Sequence, residues 1–495
     1  MNRYLLPTLA LLVFAARPVA PQGTWPGRDR LETETCVAAP ADADAAQWIR
    51  RARRAVGIDA VQDRLLRWRA TDVDVQYFQS DRPAPPYIES VELRDWWFDA
   101  ATGVERWERL PASGSAMLRT AQSAFVVRDT LRRAMAALYR FHEPTRALNP
   151  LAVLADWSEG RVRVAGTCSF RGYPRLVLER DAQRLYLDFK SAMPVKLERI
   201  ERHATWGQIR AEYVYATWWR SGAVALPMVA VRYVDGVEHL RRNLTLPLRA
   251  GEQVVAALAR ADGPDLALPA VDHRNTPDPF AQPLPVDTVR VDDHTFLLAT
   301  RAYTHAVTLQ RDTVYLLDAT TSESRSRADS VWIATLFPRV RAVVLVVTDL
   351  AWPHVQGVRF WAARGATIVT HEMSRPFLEQ LLARRWTLAP DVLEGARRTR
   401  PPRVITTRTG LNLAGGGVRL RPIDGVASEG ALYVAIPSAG FVWAGDYIQN
   451  VSSPSQYAQE MIAAIARDGI APDRVAAQHL SLSPWSTVLS ANPRP

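Results

Sequence analysis

The segment from Val343 to Gly357 constrains the fold of this chain more than any other. An apolar run, Val343–Val347, ends at Thr348, and a short loop then leads to His354 and Gly357, which open a helical segment. A continuous apolar run of this length is typical of a strand that is buried on both faces. The segment therefore predicts a strand, a loop that carries polar side chains, and a helix.

The pattern around this segment predicts two sheets with helices on their outer faces. Strands are expected at 289–291, 295–299, 306–310, 314–318, 342–347, 366–370, 403–409, 418–422, 432–436, 442–444 and 474–477, and helices at 324–336, 354–363, 374–384 and 455–467. Gly415–Gly417 lies between two of these strands with no helix after it, which indicates a hairpin turn and not a phosphate-binding loop.

The first half of the chain has a different pattern. Apolar residues at helical spacing predict helices over 43–68 and 117–141. Short alternating segments, at 96–110 and repeatedly between 161 and 233, predict a meandering antiparallel sheet. The expected structure is a helix plus antiparallel β-sheet domain.

A proline-rich stretch separates the two patterns. Its prolines are Pro264, Pro269, Pro277, Pro279, Pro283 and Pro285. Few apolar residues lie between them, which is typical of a linker. We therefore predict domains at 40–262 and 287–495, joined by a linker at 263–286.

The N-terminus indicates export. A short positive start and the apolar residues 5–16 predict a signal peptide over 1–22, with an uncleaved anchor as the alternative. No later segment is long and apolar enough to be expected to cross a membrane. Cys36 and Cys168 are the only cysteines, and in a periplasmic or secreted protein they could pair or remain unrelated.

The positive charge of the chain does not indicate a nucleic-acid partner. The formal net charge is +10, but the lysines are limited to Lys190 and Lys196, and the arginines are scattered among alanines and acidic residues. A nucleic-acid groove typically needs a dense basic patch interleaved with aromatic residues. We expect a small molecule as substrate or ligand, and no nucleic acid.

Several motifs in the second half resemble the metallo-β-lactamase superfamily, in the correct order over residues 287–490. They are Leu317-Asp318-Ala319, the segments 341–348, 354–357 and 365–372, Glu429-Gly430-Ala431-Leu432, the strand with Gly-Asp at 441–446, and Gln478-His479. The resemblance implies an αββα sandwich (an α+β fold) and a hydrolytic zinc centre at the strand ends. It is closest to exported bacterial members of the superfamily.

The resemblance also implies that the metal-binding motif is degenerate. Asp349, Ala351, Pro353 and Ala427 stand where the family has His, His, Asp and His. The first metal site would then be lost. Three candidate ligands remain from the second site: His354, Asp446 and His479. Two histidines and a carboxylate can form an open site for one zinc ion. Asp349 could be a fourth ligand or could fix the tautomer of a ligand histidine.

The sequence predicts two alternative functions. For neither of them does it identify a catalytic residue or a substrate. The first is an exported hydrolase-like protein with a one-metal or lost metal site. The second is a non-catalytic periplasmic binding protein for an apolar or lipid-like ligand. The basis for this second function is the set of aromatic residues Trp96, Trp97, Trp107, Trp218 and Trp219 in the first domain, although core packing is the preferred interpretation of these residues. His305 and His371 are interpreted as structural.

Overall fold

The computed structural model describes residues 36–38, 44–61, 65–75, 82, 87–110, 115–119, 124–128, 131–134, 146–157, 162–203, 205–245, 286–300, 303–387, 390–396 and 402–493. The predicted signal peptide and all of the predicted linker except its last residue lie outside these ranges. Both segments, and the domain boundaries drawn from them, therefore stay predictions.

Within the described residues, the chain up to Thr245 forms one antiparallel sheet of 14 strands, in the order β1-β8-β9-β10-β11-β12-β13-β14-β2-β3-β4-β5-β6-β7. The strands are β1 (Cys36–Ala38), β2 (Leu65–Val75), β3 (Glu89–Asp99), β4 (Glu105–Leu110), β5 (Ser115–Arg119), β6 (Ala124–Arg128), β7 (Leu131–Ala134), β8 (Arg163–Phe170), β9 (Tyr173–Arg180), β10 (Gln183–Asp188), β11 (Pro194–His203), β12 (Gly207–Ser221), β13 (Val224–Val234) and β14 (Val237–Thr245). The predicted large antiparallel sheet is thus present.

Two helices, α1 (Ala45–Val56) and α2 (Pro150–Asp156), pack against this sheet. The side chain of Asp44 caps the start of α1 by accepting hydrogen bonds from two backbone amides of its first turn. The buried residues Ile49, Ala52 and Val56 recur at helical spacing and join one core with residues of the sheet. The sheet therefore gains a core on the face that the helices cover.

The helix predicted over 43–68 is shorter than expected. It ends at Val56 because Gly57 has a φ of 77°, in the left-handed region that favours glycine. A Cβ atom at Gly57 would lie 1.8 Å from the carbonyl oxygen of Ala223, so no other residue fits this turn without movement. The chain then forms a 3₁₀ turn, Ile58–Val61, and enters β2 at Leu65.

The helix predicted over 117–141 is wrong. Strands β5, β6 and β7 occupy much of this segment and pair antiparallel with one another. Strand β5 also pairs with β4, where Met117 lies opposite Trp107. Apolar residues in this segment satisfy both helical and alternating patterns, and pairing with an existing sheet edge decides between the two.

The second half of the chain contains two further sheets. Within the described residues the first has seven strands in sequence order: β15 (Asp287–Arg290), β16 (Thr295–Ala299), β17 (Thr304–Gln310), β18 (Thr313–Leu317), β19 (Ala342–Val346), β20 (Thr367–His371) and β21 (Val404–Thr407). The second has six: β22 (Leu411–Leu413), β23 (Val418–Pro422), β24 (Leu432–Ile436), β25 (Phe441–Trp443), β26 (Arg474–Ala476) and β27 (Ser483–Pro484).

The helices of this half are α3 (Glu323–Leu336), α4 (Trp352–Val355), α5 (Val358–Ala363), α6 (Arg375–Ala383), α7 (Val392–Ala396), α8 (Gln456–Arg467) and α9 (Trp485–Ala491). Each strand and helix predicted between 289 and 477 is confirmed to within a few residues, although the helix predicted at 354–363 is divided into α4 and α5. The hairpin turn at Gly415–Gly417 is also confirmed, since it joins the paired strands β22 and β23. Strands β22 and β27 and helices α7 and α9 were not predicted.

Alternate residues of these strands enter different cores. Leu317 and Val346 pack between the two sheets with Val434 and Trp443, whereas their neighbours Leu316 and Leu345 pack against the helices on the outer face. The outer face of the second sheet packs against α8 and α9. The described residues therefore form an α+β structure of mixed sheets and helices that is compatible with the expected sandwich.

The 14-stranded sheet contacts the helices on the seven-stranded sheet. Trp206 packs edge-on against Phe377, with their ring centroids 4.9 Å apart. The guanidinium of Arg384 donates hydrogen bonds to the backbone oxygens of Trp206 and Gln208, each at 2.7 Å, and lies 2.8 Å from the carboxylate of Asp235. Aromatic packing and charge pairing thus join the two halves.

The two cysteines form a disulfide between β1 and β8, where Cys36 lies directly opposite Cys168. The alternative that they are unrelated is therefore wrong. No helix among the described residues combines the length and apolar character that a membrane span needs.

Candidate metal centre

Parallel strands bring the polar loops together at one edge of the molecule. Strands β18, β19 and β20 run parallel, so Asp318 and Thr348, which follow the first two, lie at the same edge of the seven-stranded sheet. Strands β25 and β26 are also parallel, and Asp446 and His479 lie just beyond their ends. The carboxyl ends of parallel strands are where binding sites form in such sheets.

The three candidate ligands meet at this edge. The Nε2 atom of His354 lies 4.0 Å from Oδ1 of Asp446, and Nε2 of His479 lies 3.5 Å from the same oxygen. One ligand atom from each residue lies within 4.8 Å of the other two. Residues from three distant segments thus converge, as predicted, far inside the limit of about 8 Å beyond which zinc bonds of about 2 Å could not span them.

The three ligand atoms would have to move closer together to bind a small metal ion. Bonds of about 2.05 Å in a tetrahedral zinc site place the ligand atoms about 3.3 Å apart. The contact between His479 and Asp446, at 3.5 Å, is close to this value. The contact between His354 and Asp446, at 4.0 Å, and the widest separation, up to 4.8 Å, would have to close by about 0.7 to 1.5 Å. His354 is buried, whereas Asp446 and His479 are partly exposed. The centre would therefore be open to solvent on the side of the latter two.

Asp349 contacts the other ring nitrogen of His354 and is not one of the converging ligands. Its carboxylate faces Nδ1 of His354 and also accepts hydrogen bonds from the amide of Ala351, at 2.9 Å, and the hydroxyl of Thr348, at 3.3 Å. With Nδ1 held by this carboxylate, Nε2 of His354 is directed at Asp446. This is the arrangement by which carboxylates orient metal-binding histidines.

The carboxylates around His354 favour its charged form. Burial disfavours the charge, but Asp349, Asp446 and Asp318 outweigh it and raise the pKa of His354 to about 9. Burial also acts on Asp349, but the charge and hydrogen bond of His354 lower the pKa of that carboxyl. A metal ion that binds here near neutral pH must therefore displace a proton from His354.

The remaining positions of the family motif offer no side-chain ligand. Ala351 precedes α4 and Pro353 lies in its first turn, and neither alanine nor proline is a residue type that ligates a metal through its side chain. The amide of Ala427 donates to Glu460, and its carbonyl accepts a hydrogen bond from the hydroxyl of Tyr457 at 3.1 Å. The loop that contains Ala427 is thus fixed through its backbone.

A second buried histidine has its own aspartate. Nδ1 of His305 lies 2.9 Å from Asp329, and its Nε2 accepts a hydrogen bond from the amide of Thr320 at 2.8 Å. Arg325 donates to Asp329 at 2.8 Å. Burial lowers the pKa of His305, and the charge of Arg325 lowers it further. With both nitrogens occupied and no exposed surface, His305 is structural, as interpreted from the sequence.

His371 lies at the end of β20 in a polar cleft of about 640 Å³. Its Nδ1 accepts a hydrogen bond from the amide of Met373 at 3.3 Å. Gly430 lines the cleft, and two residues later the amide of Leu432 donates a hydrogen bond to the carbonyl of Thr348 at 2.8 Å. The cleft and the metal-ligand cluster therefore lie along the same sheet edge. Six of its thirteen lining residues are charged: Glu372, Arg408, Asp424, Glu429, Arg467 and Asp468.

Two residues near the centre were not assigned a role from the sequence. The ring of Tyr303 packs on that of His479, with centroids 4.8 Å apart. Asp318 is fully buried and accepts hydrogen bonds from three segments. The motif Leu317-Asp318-Ala319 marked the strand end, but nothing in it indicated which distant side chains Asp318 would contact.

Comparisons with known proteins yield structural similarity alone. No family model matches the chain, and no curated protein matches it. Among solved structures, the DIM-1 metallo-β-lactamase is 12% identical, with 42% of this chain and 96% of that chain covered and a TM-score of 0.34. A metallo-β-lactamase from Pontibacter korlensis is 12% identical, with 41% and 95% covered and a TM-score of 0.33.

A third such structure, a metallo-β-lactamase from Erythrobacter litoralis, is 14% identical, with 41% of this chain and 92% of that chain covered and a TM-score of 0.32. The chain thus has a distant structural similarity to metallo-β-lactamases over about two fifths of its length.

Proposed function

We propose that this protein is an exported metal-dependent hydrolase with a single zinc ion held by His354, Asp446 and His479. Its catalytic domain would be the αββα sandwich of residues 287–495, in which the metal-binding motif of the metallo-β-lactamase superfamily is reduced to one site. The substrate would be a small hydrophilic molecule whose identity is unknown.

One observation carries the proposal: ligand atoms of His354, Asp446 and His479 lie within 4.8 Å of one another. Two imidazoles and one carboxylate are ligand types that zinc binds, and three protein ligands leave a position for water or substrate. The carboxylate of Asp349 supports this assignment, because it holds His354 with Nε2 toward the other ligands.

A bound zinc ion would supply a Lewis acid that activates water and polarises the bond to be cleaved. The residues of the chain would bind and position this ion. Asp446 contributes the anionic ligand, and Asp349 orients His354. The partial exposure of Asp446 and His479 leaves the open side to which a substrate can come.

The cleft that lies along the same sheet edge, although its lining includes none of the three candidate ligands, supports a hydrophilic substrate. Its volume of about 640 Å³ falls within the range of roughly 300–1,000 Å³ usual for small-molecule pockets. Arg408 and Glu372 lie 3.4 Å apart in it; the side chain of Arg408 is largely exposed and that of Glu372 is about half exposed. An apolar ligand would remove water from these charged groups without replacing the lost hydrogen bonds, which would oppose binding of that ligand. A polar ligand can form hydrogen bonds in place of the water.

The disulfide between Cys36 and Cys168 supports export, because such bonds persist in oxidising compartments. We accordingly propose a periplasmic or secreted location. The alternative function, binding of an apolar or lipid-like ligand, has weaker support. Trp96 and Trp107 are two of the aromatic residues that suggested this alternative. They are buried and stacked on each other, with ring centroids 5.0 Å apart, in the core beneath α1 and α2.

The test is the metal content of the purified, as-isolated protein, measured by inductively coupled plasma mass spectrometry. We expect close to one equivalent of zinc in the wild-type protein and none after His479→Ala. The exposed His294 provides a matched control, since His294→Ala should retain the metal. Absence of metal from wild-type protein that also fails to take up added zinc would overturn the proposal and leave the binding protein as the better account.

A further inference from the structure

We propose that the disulfide between Cys36 and Cys168 is a thiol-exchange site. External thiols attack it at Cys36, and the guanidinium of Arg184 stabilises Cys168 as the thiolate that leaves. The partner is a dithiol, which is oxidised to its own disulfide as the protein is reduced. This site belongs to the first half of the chain and does not depend on the proposed metal centre.

The two cysteines differ in exposure. Cys36 belongs to the three-residue strand β1, in which every residue is exposed. Cys168, directly opposite on β8, is only 1% exposed and packs with Val177 and Tyr186. Thiol–disulfide exchange requires access to the sulfur that is attacked. An external thiolate can therefore reach Cys36, and Cys168 becomes the leaving group.

The guanidinium of Arg184 lies beside both sulfurs. Its Nη2 atom donates hydrogen bonds to Sγ of Cys168 at 3.3 Å and to Sγ of Cys36 at 3.6 Å. The guanidinium also lies 5.4 Å from the centre of the Tyr186 ring, within the range of a cation–π contact. Because arginine is always charged, Arg184 places a permanent positive charge nearest to the sulfur that leaves.

The carboxylates directly across from Arg184 pair with other cations. Glu179 and Glu198 lie opposite Arg184 on the two neighbouring strands. Glu179 pairs with Arg163 at 2.8 Å, and Glu198 pairs with Lys196 at 3.3 Å. In the part of the chain that the structure describes, no carboxylate forms an ion pair with Arg184. Its charge is therefore available to a sulfur anion.

The exchange balances with the dithiol as the only co-reactant. One thiolate of the dithiol forms a bond to Sγ of Cys36, the Cys36–Cys168 bond breaks, and its electron pair leaves on Sγ of Cys168. The second thiolate of the dithiol then attacks the sulfur bound to Cys36, and Cys36 leaves as a thiolate. The dithiol loses two electrons, and its two protons are available to the two cysteines. A neighbouring arginine favours a thiolate, so Arg184 should speed the first step.

The first experiment identifies the sulfur that is attacked. The oxidised wild-type protein is incubated with reduced glutathione, quenched with acid and analysed by peptide mass spectrometry. Glutathione has a single thiol, so one molecule cannot complete the reduction and a mixed disulfide can be trapped. We expect glutathione on Cys36 and a free thiol at Cys168. Glutathione on Cys168, or a disulfide that stays intact under native conditions, would overturn the proposal.

The second experiment measures the contribution of Arg184 to the rate of reduction by dithiothreitol. Arg184→Gln keeps a hydrogen-bond donor but removes the charge. We expect the rate to fall by about 3- to 10-fold relative to wild type, because hydrogen bonds to a charged acceptor are stronger than those to a neutral one. Arg184→Lys keeps the charge and should fall between the two.

Arg171→Gln is the matched control. Arg171 is an exposed arginine three residues after Cys168, and its guanidinium lies over the ring of Phe170 and not beside a sulfur. This variant should be reduced at the wild-type rate. Reduction of Arg184→Gln at the wild-type rate, or an equal slowing in both glutamine variants, would contradict the role of Arg184. The glutathione experiment uses wild-type protein alone, so it tests the site even if a variant fails to fold.

Discussion

The regions around His305 and His354 share a histidine–aspartate pair and differ in what faces the second ring nitrogen and in the surrounding charge. In each, a buried histidine presents Nδ1 to an aspartate, Asp329 in one and Asp349 in the other. The difference is at Nε2. In His305 this nitrogen accepts a hydrogen bond from the amide of Thr320, whereas in His354 it faces the carboxylate of Asp446.

The surrounding charges have opposite effects in the two regions. The guanidinium of Arg325 beside His305 disfavours a second positive charge, and burial together with this charge lowers the pKa of that histidine. Around His354 the neighbours are carboxylates, which overcome burial and raise its pKa to about 9. A histidine–aspartate pair is thus no evidence of a metal site by itself. An excess of negative charge that faces the second ring nitrogen is the informative feature.

The largest effect should come from the region around His305. Asp329→Asn leaves the buried guanidinium of Arg325 without its carboxylate, and breaking a buried ion pair in this way costs about 3–5 kcal/mol of unfolding free energy. Zinc affinity should stay the same. Chemical denaturation and zinc titration of the variant measure both quantities, and a lost zinc affinity in a folded variant would show that the two regions are not separate.

The pH dependence of the metal-free protein should distinguish the regions next. The pKa of His354 is raised from 6.5 to about 9 on folding, so its charged form stabilises the fold fully below pH 6.5, and this stability is lost as the pH rises through 9. The whole change corresponds to about 3 kcal/mol.

Denaturation of the wild type and of His354→Gln at pH 6 and pH 9.5 measures this contribution. The wild type should exceed the variant in stability at pH 6 and lose that advantage at pH 9.5. His294→Gln should show no such change. An advantage of the wild type that grows with pH would contradict the assigned charges.

Added zinc should stabilise the wild-type protein by a similar amount. At a hundredfold excess over the dissociation constant, binding to the folded state alone adds about 2.7 kcal/mol and raises the melting temperature by several degrees. His479→Ala should remove the gain, because two ligands hold zinc far less well than three. If a chelator, added zinc and His479→Ala all leave the melting temperature unchanged, the three side chains are a relic of a metal site.

Introducing the residue types of the metallo-β-lactamase metal-binding motif should have the smallest effect. The variant Asp349→His, Ala351→His, Pro353→Asp and Ala427→His supplies the missing ligand types, but it also removes the carboxylate that holds His354. We expect no strong zinc-dependent esterase or lactamase activity, assayed with chromogenic substrates beside the wild type. High activity would show that the contacts around the four substituted positions can support a catalytic metal site.

The sequence predicted the elements of the second half well because long apolar runs, such as Val343–Val347, permit few alternatives. It failed over 117–141, where Leu118 and Phe125 suit a helix as well as a strand and the neighbouring strand β4 decides. The convergence of His354, Asp446 and His479 was predicted from the resemblance of three short motifs. The contacts of Asp318 were not, because they depend on side chains more than 100 residues distant.

The disulfide between β1 and β8 has a consequence for self-association. Strand β1 is an edge of the 14-stranded sheet, and without it β8 would present its own unpaired backbone groups to other chains. The bond closes a loop across a sequence separation of 132 residues, which by chain entropy disfavours the unfolded state by roughly 5 kcal/mol. In a reducing environment this short strand can detach, and the bare edge of β8 would then be open to pairing with a second molecule and to aggregation.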